Sequence, residues 1–456
     1  KKIDGTAVTP FNNLTVSGSI STTRSFDVIR NLNVSGTLRQ TNGNVVFGFP
    51  SITSAISGNA QLKNVSVPSG NVLRLNAGAV LGIAGTLSYN NNFDAITNTP
   101  TRIEINGDTN QTIPSGSYRN LVVKNGNTKT AGGTLKILDT LTIDTLTFFS
   151  DGGDTTELHS VIINRGEYRG SGSAVFYNTA NLTGTGLFDF YNLTIGSGDS
   201  LETGNLTVHS HGNYTNSGKL ISTGKFIFEG ITDQLISGSN FNNIEISGRG
   251  TKFATGNFFI EKNLIINDSV SLNLGSPLHR LKGNISNQGT IDSAKIVFYG
   301  DSIQTIQSAN TITFDKILVD KNLNNIVLAS DIHIADSLRL IRGDILTNAN
   351  RVFLDLNSHL VETPNNTVLG NVIADRVLSL NNNTNFNGIG FEMMAKNTAP
   401  GRTVVTRRTG SGSVFSGVGG FVTHSSIPRS FDVQPTVFNN LNATVKIHYN
   451  DPSEFS

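Results

Sequence analysis

The chain contains no cysteine and no tryptophan, only two methionines, and few charged residues for its length of 456 residues. The lack of cysteine excludes a disulfide framework, a thiolate metal site and a cysteine nucleophile. Charged residues make up 15% of the chain, against roughly 25% in average soluble domains. Lys and Arg number 34 and Asp and Glu 33, which gives a net charge of +1. This balance argues against a nucleic-acid-binding protein that depends on positive charge.

Long apolar runs and strong helix formers are also scarce. No run approaches the roughly 18 apolar residues of a transmembrane helix, so we expect no membrane span. Thr, Ser, Val, Ile, Asn and Gly dominate instead, which favours β structure. Hydrophobic residues form 37% of the chain and recur in short β-branched runs, which argues against disorder. No signal peptide is recognisable after Lys1, so we expect a removed leader or a fragment of a longer protein.

A short repeat runs through the first three-quarters of the chain. Each copy begins with Asn and continues with alternating apolar and polar residues, the two-residue period of a strand. Copies lie at 13–16, 31–34, 120–123, 192–195, 205–208 and 263–266. Gly, Ser, Asn and Asp separate them and suit tight turns. No amphipathic segment of helical period lies between the copies, so the predicted strands are not joined by crossover helices.

A longer motif is superimposed on the short repeat. It consists of Gly, Gln four residues later and Ile six residues later, followed by another apolar strand. The three copies contain Gly107 and Gln111, Gly230 and Gln234, and Gly300 and Gln304. Three copies with matched spacing indicate an internal repeat. We therefore predict that the three glutamines occupy equivalent positions in the fold.

These patterns leave three all-β architectures: a β-solenoid, a row of β-sandwiches, or a propeller. A propeller requires a regular repeat of about 40–50 residues, and a sandwich row requires linkers about every 90–100 residues. Neither is visible, so we predict a parallel β-helix, or β-solenoid, with about 15 coils of roughly 20–25 residues and stacked Asn side chains at its corners. The cadence breaks near residue 364. We therefore divide the chain into a solenoid, 1–365, and an antiparallel β-sandwich-like capping domain, 366–456.

Several of these motifs resemble the β-strand repeats of large surface proteins of Bacteroidota. The resemblance within the repeats is carried by Phe298, Tyr299, Gly300, Gln304 and Ile306, by 120–123 and by 133–135. In the distal segment it is carried by 370–372, 374–376, 391–392, 407–410, 429–433 and 443–449. The resemblance implies an adhesin or filament protein exported by type IX secretion to the outer-membrane cell surface or the extracellular space. The family's C-terminal sorting domain is not recognisable here.

The sequence shows no catalytic constellation, so we expect a non-enzymatic structural rod or adhesin without cofactor or metal. Expected partners are other cell-surface or filament proteins, polysaccharide and, by the resemblance, the type IX secretion machinery. The alternative is a polysaccharide lyase or hydrolase, which should gather carboxylates or arginines in one lateral cleft.

Asp151 and Asp154 flank two glycines and could bind calcium, but a solvated turn is the favoured interpretation.

Two sets of candidate site residues follow. Asp followed by Ser or Thr resembles the O-glycosylation motif of exported Bacteroidota proteins, although it also suits a turn that enters a strand. The candidate acceptors are Thr140, Thr145, Thr155, Ser200, Ser269, Ser293, Ser302 and Ser337. The second set is basic and lies in a stretch without acidic residues, which suits contact with a polyanion; some of these arginines could instead be structural. Its members are Lys396, Arg402, Arg407, Arg408 and Arg429.

Overall fold

The computed structural model of the protein describes residue 3 and residues 7–49, 51–410 and 429–448. The protein is all-β: strands account for 63% of it, and the described part contains no helix. The described part therefore contains no helix that could cross a membrane. By spatial clustering the chain divides into two compact units, Lys1–Ile227 and Phe228–Ser456.

The strands are short and numerous, as the cadence of turn residues predicts. In the first half of the chain they are β1 (Thr9–Val16), β2 (Ser19–Thr22), β3 (Phe26–Gln40), β4 (Asn44–Phe47), β5 (Thr53–Leu62), β6 (Asn64–Ser66), β7 (Val72–Leu75), β8 (Val80–Ile83), β9 (Leu87–Ser88), β10 (Phe93–Asp94), β11 (Arg102–Ile105), β12 (Gln111–Val123), β13 (Asn127–Ile143), β14 (Thr147–Ser150), β15 (Thr155–Leu158), β16 (Val161–Asn164), β17 (Glu167–Arg169), β18 (Ser173–Phe176), β19 (Thr179–Gly184), β20 (Leu187–Phe190), β21 (Asn192–Ile195), β22 (Ser200–Gly204), β23 (Thr207–Ser210), β24 (Tyr214–Asn216), β25 (Lys219–Ser222) and β26 (Lys225–Phe228). In the second half they are β27 (Gln234–Ile236), β28 (Ser239–Phe241), β29 (Asn243–Ile246), β30 (Thr251–Ala254), β31 (Phe258–Ile260), β32 (Leu264–Ile266), β33 (Ser271–Asn273), β34 (His279–Leu281), β35 (Ile285–Asn287), β36 (Thr290–Asp292), β37 (Ala294–Gly300), β38 (Gln304–Ser308), β39 (Ile312–Lys321), β40 (Ile326–Leu328), β41 (Ile332–Arg342), β42 (Ile345–Leu354), β43 (His359–Val361), β44 (Val368–Leu378), β45 (Thr384–Asn385), β46 (Phe391–Ala395), β47 (Gly401–Thr409), β48 (Arg429–Pro435) and β49 (Ala443–Ile447).

Parallel pairing with a fixed offset defines the architecture of each unit. In the first unit β15, β16 and β17 pair in parallel with β18, β19 and β20, and Ile162 lies opposite Leu182. In the second unit β27, β28 and β29 pair with β30, β31 and β32, and Ile244 lies opposite Leu264. A strand that pairs with the third strand after it belongs to a three-sided coil. The parallel β-solenoid class is thus confirmed; the chain makes about 18 turns, more than the 15 expected, because the coils are near the short end of the predicted range.

Apolar side chains from successive coils stack inside each unit. In the first unit Leu141, Ile162 and Leu182 are register partners and are at most 2% exposed. Two aromatic rings extend the packing, with Tyr168 5.1 Å from Phe149 between ring centroids. The corresponding column in the second unit contains Ile244, Leu264, Ile285 and Ile306. Each buried aliphatic side chain contributes about 1.5–3 kcal/mol, so these columns supply most of the stabilisation.

Asparagine side chains connect the coils at one corner of the second unit. The Oδ1 atom of each Asn accepts a hydrogen bond from the backbone N–H of the matching residue one coil later. Asn243 accepts from Asn263 at 3.4 Å, Asn263 from Asn284 at 3.2 Å, and Asn284 from Thr305 at 2.8 Å. The predicted stacking of Asn side chains therefore takes the form of a side-chain-to-backbone ladder. It satisfies amide groups at corners, where the sheet pairing is interrupted.

The three motif glutamines each begin a strand, and each makes at least one hydrogen bond to a backbone group. They are at most 7% exposed. The Oε1 atoms of Gln111 and Gln234 accept from the N–H of the motif glycine, at 2.7 and 2.8 Å. The Nε2 atoms of Gln111 and Gln304 donate to two carbonyl groups of the preceding coil, at 2.7–3.0 Å. The longer sequence motif thus corresponds to a recurring hydrogen-bonded turn.

A buried lysine from the following coil completes each turn, and we call each pair a glutamine–lysine clamp. Lys129 and Lys252 are the register partners of Gln111 and Gln234 and donate to the carbonyl of the motif glycine, whereas Lys321 donates directly to Gln304 Oε1. The lysines are at most 1% exposed, and each Nζ donates to at least two oxygen atoms of the turn at 2.6–3.0 Å. Burial lowers the pKa of all three lysines, that of Lys252 to about 8, and a nearby Asp opposes the shift.

Antiparallel pairing begins at β44. This strand pairs in parallel with β42 on one side and antiparallel with β47 on the other, and β47 continues to β48. A separate small antiparallel sheet contains β45, β46 and β49. Residues 366–456 share a compact unit with residues 228–365, so the division at 365/366 stays a prediction. Residues 411–428, between β47 and β48, lie outside the described residues.

Candidate functional site

The predicted polyanion contacts lie mainly on β47, whose side chains alternate between interior and solvent. Arg402 and Arg408 are exposed, whereas Arg407 is fully buried. Arg402 and Arg408 are six residues apart, or about 20 Å along a strand. Lys396 is exposed beyond the end of β46, and Arg429 is only 9% exposed. The strand therefore does not present the three arginines as one basic cluster.

Arg407 forms a buried ion pair with Glu362. Its Nη1 and Nη2 atoms lie 2.6 and 2.7 Å from the two carboxylate oxygens. Thr367 Oγ1 and the Val368 N–H also donate to Glu362 Oε1, at 2.7 and 2.8 Å. The assignment of Arg407 to polyanion contact is therefore wrong, because its guanidinium is enclosed and already bound to a carboxylate. The low exposure of Arg429 likewise excludes it as a surface contact.

Burial also divides the candidate glycosylation acceptors. Those exposed to solvent are Thr145, Ser269, Ser293 and Ser302, and those half-buried are Thr140, Thr155 and Ser200. Ser337 is 7% exposed, and its Oγ lies 3.2 Å from Asp336 Oδ2. The candidate at Ser337 is wrong in the folded protein, because a buried hydroxyl has no room for a sugar. The other seven remain predictions.

Asp151, considered above for calcium, serves as a turn cap. The residue is 1% exposed. Its Oδ1 accepts from the backbone N–H groups of Gly153, Ser171 and Gly172 at 3.2, 2.8 and 2.8 Å. Two of these donors lie in the next coil, so the carboxylate stabilises coil stacking. The turn is confirmed, but the expectation that it is solvated is wrong for Asp151, whose carboxylate is enclosed between two coils.

A concave surface in the second unit brings together side chains that the sequence does not mark as a group. We call it the distal groove, and its volume is about 560 Å³, within the range of small-molecule sites. It is lined chiefly by His333, Phe353, Asp355, Leu356, Ile373, Asp375, Val377 and Arg402. His333, Phe353 and Ile373 are register partners on three successive turns, so their side chains form an outward column.

The column is well ordered by stacking and by ion pairing. The His333 and Phe353 rings lie parallel, with centroids 4.6 Å apart and planes 11° apart. His333 Nδ1 lies 3.4 Å from Asp355 Oδ1. Across the groove, Arg402 Nε and Nη2 lie 2.7 and 2.6 Å from Asp375 Oδ2. The groove therefore offers hydrogen-bond donors and acceptors side by side on an apolar floor.

Sequence reasoning identified only Arg402 in this groove. The other residues are separated by whole coils, and none forms a local motif. The available indication was the interval of 20 residues from His333 to Phe353 and again to Ile373, which becomes informative only once the coil length is known.

Comparisons of the chain with protein-family models, with curated proteins and with solved structures give no match.

Proposed function

We propose that the chain is the β-solenoid part of a non-enzymatic extracellular protein, a structural rod or adhesin at the outer-membrane cell surface. Its expected partners are other surface or filament proteins, and the sequence resemblance supports export by the type IX route. The observation that carries the proposal is the use of buried polar side chains as connectors between coils. Clamps and corner ladders bond these groups to neighbouring backbone, which serves stability rather than chemistry.

Ion pairing of carboxylates supports the same proposal. Glu104 lies 2.9 Å from Lys124 and 3.0 Å from Arg102, and Asp320 lies 2.7 Å from Arg342. Both carboxylates are thus held by cations of the same chain, which suits a structural role better than acid catalysis.

Display on intact cells of the native host tests the location. Antibody against the second unit should label intact cells, and added protease should remove that label without lysing them. Deletion of the gene should lower adhesion or remove surface filaments, and a plasmid copy should restore them. Label that appears only after lysis would contradict an extracellular role. Normal adhesion and normal filaments in the deletion strain would contradict a structural or adhesive one.

A polysaccharide-processing enzyme is the second candidate, favoured by one observation. The distal groove holds two carboxylates, Asp355 and Asp375, beside an imidazole and a guanidinium. Reducing-end and unsaturated-product assays on a polysaccharide panel test this alternative. Activity that is lost in Asp355→Asn and Asp375→Asn, and retained in the control Asp320→Asn, would establish it. We expect no turnover in any of the four proteins.

A further inference from the structure

We infer that the distal groove binds a neutral saccharide chain and holds it without cleavage. The inference deepens the proposed function and rests on it, since it names the ligand class that the non-enzymatic solenoid would hold at this groove. Three properties of the groove carry it: an exposed apolar floor, adjacent donors and acceptors, and a charge balance that disfavours anionic saccharides.

The floor exposes more apolar surface than an outward solenoid face requires. Leu356 is 67% exposed and Val377 76% exposed, and they lie beside Phe353 and Ile373 in the same groove. Exposed aliphatic residues that stand singly need no explanation, whereas a concave group of them is typical of a ligand site. Sugar rings present C–H faces that can cover such a floor and be held there by burial of apolar surface.

The polar groups of the groove suit hydroxyl ligands. A hydroxyl group both donates and accepts, so it bonds best where a donor and an acceptor lie next to each other. Arg402 with Asp375, and His333 with Asp355, each provide that combination within 3.4 Å. Hydrogen bonds to charged groups contribute about 1.5–3 kcal/mol each, more than neutral ones. Two such pairs can therefore fix the orientation of a polyhydroxylated ring.

The charge of the groove selects against anionic saccharides. Two carboxylates face one guanidinium, and that guanidinium is already paired. A uronate or sulfate group would meet Asp355 and Asp375. Like charges at close range cost free energy. A neutral ligand meets no such repulsion, and the ion pairs do not have to separate to receive it.

The direction of the floor indicates a chain rather than a single sugar. His333, Phe353 and Ile373 come from successive turns, and neighbouring strands lie about 4.8 Å apart. The column therefore extends roughly 10 Å across the strands and continues to β47. An extended ligand lying along this column would contact several turns at once.

The test is titration of the folded chain with neutral oligosaccharides from cellulose, xylan, mannan and starch, and with oligogalacturonate as the charged comparison. Saturation-transfer NMR and calorimetry supply the readouts. The groove variants are Arg402→Gln and Leu356→Ser. The matched controls are Arg342→Gln, whose arginine lies 2.7 Å from Asp320 outside the groove, and Leu323→Ser, whose leucine is 64% exposed.

We expect at least one neutral oligosaccharide to bind, and each groove variant to weaken it about tenfold, which corresponds to about 1.4 kcal/mol. The controls should change affinity less than about twofold. The inference is overturned if no neutral oligosaccharide binds, if oligogalacturonate binds more tightly, or if the controls weaken binding as much as the groove variants. If no oligosaccharide binds but the protein is displayed on the cell surface, only the inference about the groove fails. Release of reducing ends would instead overturn the non-enzymatic function, even if the groove binds sugar.

Discussion

Replacing Arg407 with methionine should loosen the end of the solenoid where antiparallel pairing begins. Arg407 lies on β47, and its partner Glu362 lies just after β43, so the ion pair joins two segments 45 residues apart. Their side chains are 0% and 2% exposed. Without the guanidinium, the carboxylate would keep the hydrogen bonds from Thr367 and Val368 but would lose the positive charge of Arg407 in a buried position.

The expected loss of stability is large because Glu362 remains buried when Arg407 is removed. Removing a single partner of a buried ion pair costs about 3–5 kcal/mol, whereas replacing both by apolar residues is often neutral. Arg407→Met should therefore destabilise this region by about 3–5 kcal/mol, and the double variant with Glu362→Leu should recover much of that loss. The exposed pair of Arg402 and Asp375 gives a control on the same strand, for which we expect about 0–1 kcal/mol.

Low pH should weaken the ion pair between Glu362 and Arg407. Burial by itself raises the pKa of Glu362, but the charge of Arg407 and hydrogen bonds from Arg407, Thr367 and Val368 outweigh it and bring the pKa below its usual range. A depressed acidic pKa contributes stability above the unfolded value of about 4.3, and this is lost as pH falls through the folded pKa. The wild-type protein should therefore lose local stability below pH 4.3, and the double variant should lose less.

Native-state hydrogen exchange is the appropriate assay, because a repeat protein of this length need not unfold in a single step. Amides of β44 and β47 should exchange about two to nearly four orders of magnitude faster in Arg407→Met, since each factor of ten corresponds to about 1.4 kcal/mol. Amides of the first unit provide the internal reference. Equal effects of Arg407→Met and Arg402→Met on exchange, or no recovery in the double variant, would show that the buried ion pair does not stabilise this region.

Four further outcomes are expected. Because burial lowers the pKa of Lys252 to about 8, against about 10.4 when unfolded, stability should rise between those pH values, and the urea midpoint should rise less in Lys252→Met, in which only Lys129 and Lys321 still contribute. Burial also lowers the pKa of His279, so acidification below about 6.5 should speed exchange around it, and an equal response in His279→Gln would contradict this. If the remaining surface cations bind polyanions, Arg408→Ala should weaken that binding, which should also fall from about 50 to about 300 mM salt; salt-independent binding argues against such contacts. Protein from the native host should carry hexose-type mass on exposed acceptors such as Ser302 and none on buried Ser337, whereas an unmodified mass would remove the glycosylation proposal.

The solenoid was predictable because its determinants are local. Asn followed by alternating apolar residues specifies a short strand, and Gly, Ser and Asp specify the turn. The glutamine motif was also visible, since all its members lie within seven residues. Its lysine was not, because Lys129, Lys252 and Lys321 follow their glutamines by 17 or 18 residues, and such a spacing has meaning only after the coil is known.

The candidate basic site failed for a physical reason that the sequence already contained. Arg407 and Arg408 are adjacent, and neighbouring residues of a strand point to opposite faces. Both could not contact one ligand, and one had to find an interior partner. The distal groove could not be predicted from the sequence, because it depends on which residues of separate coils lie side by side. The distribution of charge along the chain shows neither which face of a strand a residue occupies nor which residues of other coils lie beside it.

The parallel pairing of strands that lie one coil apart in the chain has a consequence for how the chain folds. Partners such as Ile162 and Leu182 are separated by one coil in a chain of 456 residues, so the relative contact order is low. The loop-closure entropy of adding a coil does not grow as the solenoid lengthens, because every step closes a loop of the same size. Each finished coil also presents a strand edge that templates the next. Folding can therefore proceed coil by coil. It can begin as soon as the residues of the first few coils are available, before the rest of the chain is.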